Sequence, residues 1–90
     1  MTTAYITHPD CLRHEMGTGH PECPARLNAI NGQLRSSGML DELNCLEAPL
    51  AEAEDLKRVH RSAYVDLIFE NAPTEGYVQL DPDTAMNPHT

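Results

Sequence analysis

Apolar residues along this chain fall in short clusters separated by polar, proline-bearing stretches. The run Thr3–Thr7, "TAYIT", is β-branched and aromatic around Ala4 and is closed by His8-Pro9-Asp10, which predicts a short buried strand. A long polar loop follows. From Pro24 the positions Leu27, Ile30 and Leu34 recur at helical spacing, proline suits the first helical position, and Gly38 stands where a left-handed C-terminal cap is wanted. A helix is therefore expected over Pro24–Ser37. Gly32 inside it weakens the helix by about 1 kcal/mol relative to alanine, which implies close approach of another backbone.

Beyond Gly38, "MLDEL" reads as a turn and "NCLEAP" as a weak strand stopped by Pro49. Ala51–His60 carries acids early and bases late, matching a helix dipole, with Leu56 and Val59 as apolar contacts, and predicts a short helix. Ser62 is placed to cap a further helix, "AYVDLIFENA". Its apolar side is Tyr64, Leu67 and Ile68, widened by Val65 and Phe69, and Pro73 ends it. Tyr77–Leu80 reads as a strand running into the acidic corner Asp81-Pro82-Asp83-Thr84. Asn87-Pro88 reads as a helix start signal, with a turn-prone frayed end as the plain alternative.

Strands alternating with helices predict a βαβ arrangement and a parallel sheet, and three short strands cannot close such a core. Composition points the same way. One Phe, three Tyr and no Trp leave a thin supply of core mass. A chain of 90 residues buries only roughly 60 percent of the surface its unfolded form exposes. An α/β segment lacking neighbours, read as a truncated chain, is expected.

The formal charge of −8 lies wholly in Asp41–Thr90, because Arg13, Arg26 and Arg35 balance Asp10, Glu15 and Glu22 in the first forty residues. No basic face is offered to phosphates, so nucleic acid is not an expected partner. No apolar run approaches the roughly 18 residues of a membrane span. Cys11, Cys23 and Cys45 form an odd set without a C-x-x-C pair, and "MTTAYITHPD" has no signal-peptide pattern, so reduced thiols and a cytoplasmic location are expected.

The densest chemistry lies in "TGHPECPARLNAI", Thr18–Ile30. His8, Cys11, His14, His20 and Cys23 are zinc-ligand types, and H-x-x-C occurs at His8/Cys11 and at His20/Cys23. Against a metal site, C-x-x-C knuckles are absent and Pro21 and Pro24 restrict how the second pair could wrap an ion; free loop histidines and thiols are the plain alternative. Glu22 and Arg26, four apart, share one side of the first helical turn. Pro24 aims the guanidinium, which suits a carboxylate bound through two parallel hydrogen bonds, although a simple surface pair fits the spacing equally well. Asp81 and Asp83, with Asp66, are a candidate cation site or merely a corner. There is no G-x-S-x-G, Walker A, G-x-G-x-x-G or H-E-x-x-H pattern.

Three motifs in order, G-H-P-E-x-P-x-R-L at Gly19–Leu27, L-x-x-V-H-x-x-x-Y at Leu56–Tyr64 and D-x-D-T-x-M-N-P-x-T at Asp81–Thr90, resemble the amino-terminal part of the histone deacetylase superfamily. The likeness is nearest to its class II-like bacterial members, the acetylpolyamine amidohydrolase and acetoin-utilisation types. The resemblance implies the amino-terminal portion of an arginase/deacetylase-like parallel-sheet fold, incomplete in this chain, spanning residues 1–90 as a single segment. It also implies a zinc-dependent hydrolase of N-acetyl amides such as acetyl-lysine or acetylpolyamine. The family's zinc ligands come from a D-x-H motif and a later Asp, with a tandem His pair for proton transfer and a Tyr or His at the oxyanion. This sequence has neither His-His nor D-x-H, so no catalytic or metal-binding residue is expected here, and zinc is expected only in a full-length member.

Carried over by resemblance, Arg26 is the arginine of the acetate channel, directed toward a buried carboxylate. His20, Pro21 and Glu22 form a pocket-wall loop, and Asn87 lies in a loop at the substrate entrance. The expected partners are the remainder of the deacetylase domain or a second copy of the chain in a homo-oligomer. Two other readings stand beside this one: an independent acidic α/β module that binds a partner without catalysis, and a small zinc domain using His8, Cys11, His20 and Cys23.

Overall fold

The computed structural model describes residues 2–90. β1 (Ala4–Thr7) leads through a 3-10 turn at Pro9–Leu12 and a polar loop to α1 (Pro24–Ser36), and a second 3-10 turn at Met39–Glu42 returns the chain to β2 (Asn44–Glu47). β2 lies parallel to β1, pairing Ala4 with Asn44 and Thr7 with Glu47, and Ala48 N–H continues the ladder to the Thr7 carbonyl at 2.7 Å. This is the expected βαβ unit. Pro24 opens α1, and Gly38, at φ +75°, follows its C-cap Ser37 in the left-handed conformation that a residue with a Cβ adopts at a cost. The Tyr5 hydroxyl donates to Asn31 Oδ1 and tethers β1 to the helix.

The second half is built separately. α2 (Ala53–Lys57) is tied to α3 (Ser62–Glu70) by a Lys57–Asp66 ion pair at 2.9 Å. β3 (Val78–Asp81) and β4 (Thr84–Met86) form an antiparallel hairpin with an irregular register between Gln79 and Asp81. Here the fold departs from a single parallel sheet: the third strand pairs with β4 rather than with β1 or β2. The Asp81 carboxylate accepts the Asp83 N–H at 2.8 Å and so supports the tight turn that brings β4 back.

Other expectations need correction. Ser62 is the first helical residue of α3, and Arg61 occupies the cap position. α3 buries Val65, whereas Tyr64, Leu67 and Phe69 are exposed. No atom beyond its own helix lies within 4 Å of where a Gly32 Cβ would stand, so no backbone packs there. β1 is not a buried strand, since Tyr5 is only half-buried and Ile6 is 60% exposed.

The hydrophobic residues buried among those described are Val65 of α3 and Ala85 and Met86 of β4; Val65 and Met86 line one depression, and the Ala85 N–H meets Met16. The accessible surface is 7030 Å², roughly a third more than the about 5,200 Å² typical of a folded chain of this mass. The radius of gyration, 15.6 Å, likewise exceeds the about 12 Å of a closed domain of this length. Parallel strands ordinarily have both faces covered, yet Ile6 and Leu46 of this pair stand open. No described helix is long and apolar enough to cross a membrane.

Candidate functional site

An open groove of about 680 Å³ runs between the end of β1 and the first turns of α1. Its polar wall includes His8, His14, Glu22 and Arg26, and Ile6, Leu27, Ile30 and Leu50 give it an apolar side. Pro24 fixes the direction of α1, and Arg26, two residues in, projects into this groove beside Glu22. The guanidinium meets the carboxylate at two points: Nε donates to Oε2 at 3.2 Å, and Nη2 lies 3.0 Å from Oε2 and 3.3 Å from Oε1. Both side chains are nearly half exposed, so the pair adds only about 0.3–0.5 kcal/mol to stability. Its interest is geometric. The fork is held ready in a groove, and the carboxylate in it here is the chain's own Glu22, half-exposed rather than buried.

His20 and Pro21 are not among the residues that line the groove. His20 Nδ1 accepts the Glu22 N–H at 3.0 Å, closing a tight turn over Pro21, and Nε2 faces the carbonyl of Asp83. The same turn occurs twelve residues earlier, where His8 Nδ1 accepts the Asp10 N–H at 3.0 Å across Pro9. "HPDC" and "HPEC" are thus two copies of one imidazole-closed turn. The repeated pattern was visible in the sequence as H-x-x-C. Its meaning is local backbone satisfaction, not metal ligation.

That finding corrects the zinc-domain reading. Among the described residues no group of three or more His, Cys, Asp and Glu stands together where an ion would sit. The Nδ1 atoms of His8 and His20 are taken by backbone N–H groups, and Cys23, at the cap of α1, lies outside the groove that Cys11 lines. The residues present therefore do not fit the zinc that the resemblance implies. The acidic corner is no cation site either: Asp81 holds its own turn and Asp66 is paired with Lys57.

Asn87 is 6% exposed, at the end of β4, and lines a smaller depression of about 300 Å³ with Val65 and Met86. Its Oδ1 accepts the His89 N–H at 3.0 Å, closing a turn at Pro88-His89, the plain alternative to a helix start. Its Nδ2 donates to the Arg13 carbonyl at 2.8 Å. Sequence reasoning missed Asp83, His14 and Thr90 as the partners that hold the loop. Contacts across sixty and more residues leave no local pattern to find.

A 36% identical relative in Synechocystis sp., an uncharacterized protein, aligns with 97% of this chain and 29% of its own length. A probable deacetylase of Archaeoglobus fulgidus is 31% identical over 90% of this chain and 23% of its own. The chain thus spans less than a third of the curated relatives it matches. With residues 20–90, all of the three motifs but Gly19, matching the model of the histone deacetylase domain, the chain belongs to the histone deacetylase family.

Proposed function

We propose that these residues form one wall of the substrate cavity of a zinc-dependent hydrolase that removes acetyl groups from amines such as acetyl-lysine side chains or acetylpolyamines. The metal-binding and proton-transferring residues are supplied by polypeptide outside this stretch, as the sequence contains neither a His-His pair nor D-x-H. The observation that carries the reading is the two-point Arg26–Glu22 contact inside an open groove, within the residues matched to the deacetylase domain. A guanidinium held this way binds acetate, the small product of the reaction, through the same two hydrogen bonds it gives Glu22. Glu22 swings aside for the product and returns when it leaves.

The excess surface and the open β1–β2 pair support covering by the remainder of the domain. The same exposed surface also favours a second reading, an acidic module that docks to a partner without catalysis.

The test is hydrolysis of an N-acetylated lysine peptide and an acetylpolyamine by the full-length polypeptide. Arg26→Ala is expected to slow turnover about tenfold or more with zinc content unchanged. Loss of zinc in that variant contradicts the role given to Arg26, and a wild-type protein inert toward both substrates favours the binding module.

A further inference from the structure

We propose that Asn87 is a positioning residue for the groove that holds Arg26: its carboxamide clamps the loop Arg13–Glu22 from behind and does not touch what the groove binds.

Asn87 is the buried polar residue among those described, and its carboxamide is engaged on both sides. Nδ2 reaches the Arg13 carbonyl at 2.8 Å, across 74 residues of sequence. Oδ1 accepts the His89 N–H at 3.0 Å and lies 3.2 Å from the Thr90 hydroxyl, which in turn accepts the Asn87 N–H at 2.9 Å. Thr90 Oγ1 also lies 2.8 Å from His14 Nδ1. His14, His89 and Thr90 line the large groove together with Glu22 and Arg26, whereas Asn87 lines the smaller depression on the other side. Asn87 therefore sits in the partition between the two.

Two other links from this loop toward the hairpin, His20 to Asp83 and Tyr77 to Glu15, are more exposed, and the Ala85 N–H, part-buried like the Asn87 bond, reaches only a weak thioether acceptor, Met16 Sδ, at 3.4 Å. Solvent competes for the exposed contacts more than for the part-buried amide bond, and a neutral N–H···O=C bond is stronger than one to sulfur. The position demands a side chain with a donor on one side and an acceptor on the other, at one methylene from the backbone. Aspartate keeps the shape and the acceptor but turns a negative oxygen toward the Arg13 carbonyl, alanine loses both bonds, and glutamine is too long by one carbon. The consequence for catalysis rests on the deacetylase reading. The clamp itself does not.

The experiment compares full-length wild type with Asn87→Asp by amide hydrogen exchange and by kinetics on an N-acetylated lysine peptide. Exchange at His14–Glu22 is expected to quicken at least tenfold while Ala4–Thr7 and Asn44–Glu47 keep their rates. kcat is expected to fall about tenfold, as for Arg26→Ala, with zinc content unchanged, and the inhibition constant of added acetate to rise about tenfold, a shift that general destabilisation does not produce. Unchanged exchange at His14–Glu22 overturns the proposal, whatever happens to activity, and so does an unchanged acetate inhibition constant. If wild type hydrolyses no acetyl amide, the deacetylase reading fails and the clamp is judged on exchange. Should Asn87→Asp not fold, the wild-type Asn87 side-chain amide protons decide: slow exchange supports the clamp, and exchange at the rate of a free carboxamide overturns it.

Discussion

His20 and Asp83, sixty-three residues apart, are joined through His20 Nε2, which lies 3.0 Å from the Asp83 carbonyl oxygen and 3.2 Å from its Oδ1. On the other side of the ring Nδ1 faces the Glu22 N–H, which can only donate. Nδ1 must therefore be the acceptor and Nε2 must carry the proton. Nitrogen-resolved NMR at neutral pH is expected to show His20 as the Nε2–H tautomer, and a majority Nδ1–H form contradicts the assignment.

The same geometry ranks two substitutions. His20→Ala frees the Glu22 N–H and breaks the link to the hairpin, a loss of about 1–2 kcal/mol. Asp83→Ala leaves the backbone oxygen in place and removes only an exposed carboxylate, so less than about 0.5 kcal/mol is lost. Urea denaturation of the two variants checks the order.

Tyr77 ionises above its ordinary value of 10.0, first because its hydroxyl is hydrogen-bonded to Glu15, then through partial shielding of the ring and the nearby negative charge. A folded value above the unfolded one means that this contribution to stability is whole below the unfolded value and is lost as pH rises through the folded one. Spectrophotometric titration is expected to show late ionisation of Tyr77, and Glu15→Gln to return it toward 10.0.

Two glycines are expected to respond in opposite senses. Gly32 lies inside α1 with open space around it, so Gly32→Ala stabilises by up to about 1 kcal/mol. Gly38 holds a positive φ of 75°, so Gly38→Ala costs about 1 kcal/mol although nothing obstructs the new Cβ. Thermal melts of the pair distinguish backbone conformation from packing.

Val65 on α3 is 4% exposed and Leu67 is 48% exposed. Val65→Ala removes two buried methyl groups and costs about 1.5–2 kcal/mol, whereas Leu67→Ala costs less than about 0.5 kcal/mol. Reversal of that order in chemical denaturation contradicts the placement of α3.

Local chemistry carried much of the fold into view. Pro24, the Leu27/Ile30/Leu34 spacing and Gly38 located α1 within a residue at its end, and the β-branched run around Tyr5 located β1. The helix expected over Ala51–His60 shrinks to Ala53–Lys57, where Leu56 is half-buried but Val59 packs on nothing. β4 escaped notice because Thr84-Ala85-Met86 is too short for alternation to show, and Pro82-Asp83 reads as a stop rather than as the turn of a hairpin. The motif stretch revealed Glu22 and Arg26 as neighbours, since a spacing of four across a helix start brings them together, although Glu22 itself precedes α1. It could not reveal that His20 leans on Asp83 or that Asn87 holds Arg13, because folding alone brings those residues together.

The proposed function requires the open face of the β1–α1–β2 unit to be covered by further polypeptide. The most direct measurement is the mass of the 90-residue chain by light scattering under conditions where its helices are formed. Exposed Ile6, Leu46 and Leu50 are expected to drive self-association, giving a mass at least twice the 10.0 kDa of one chain. A folded, monodisperse monomer of 10.0 kDa contradicts the account.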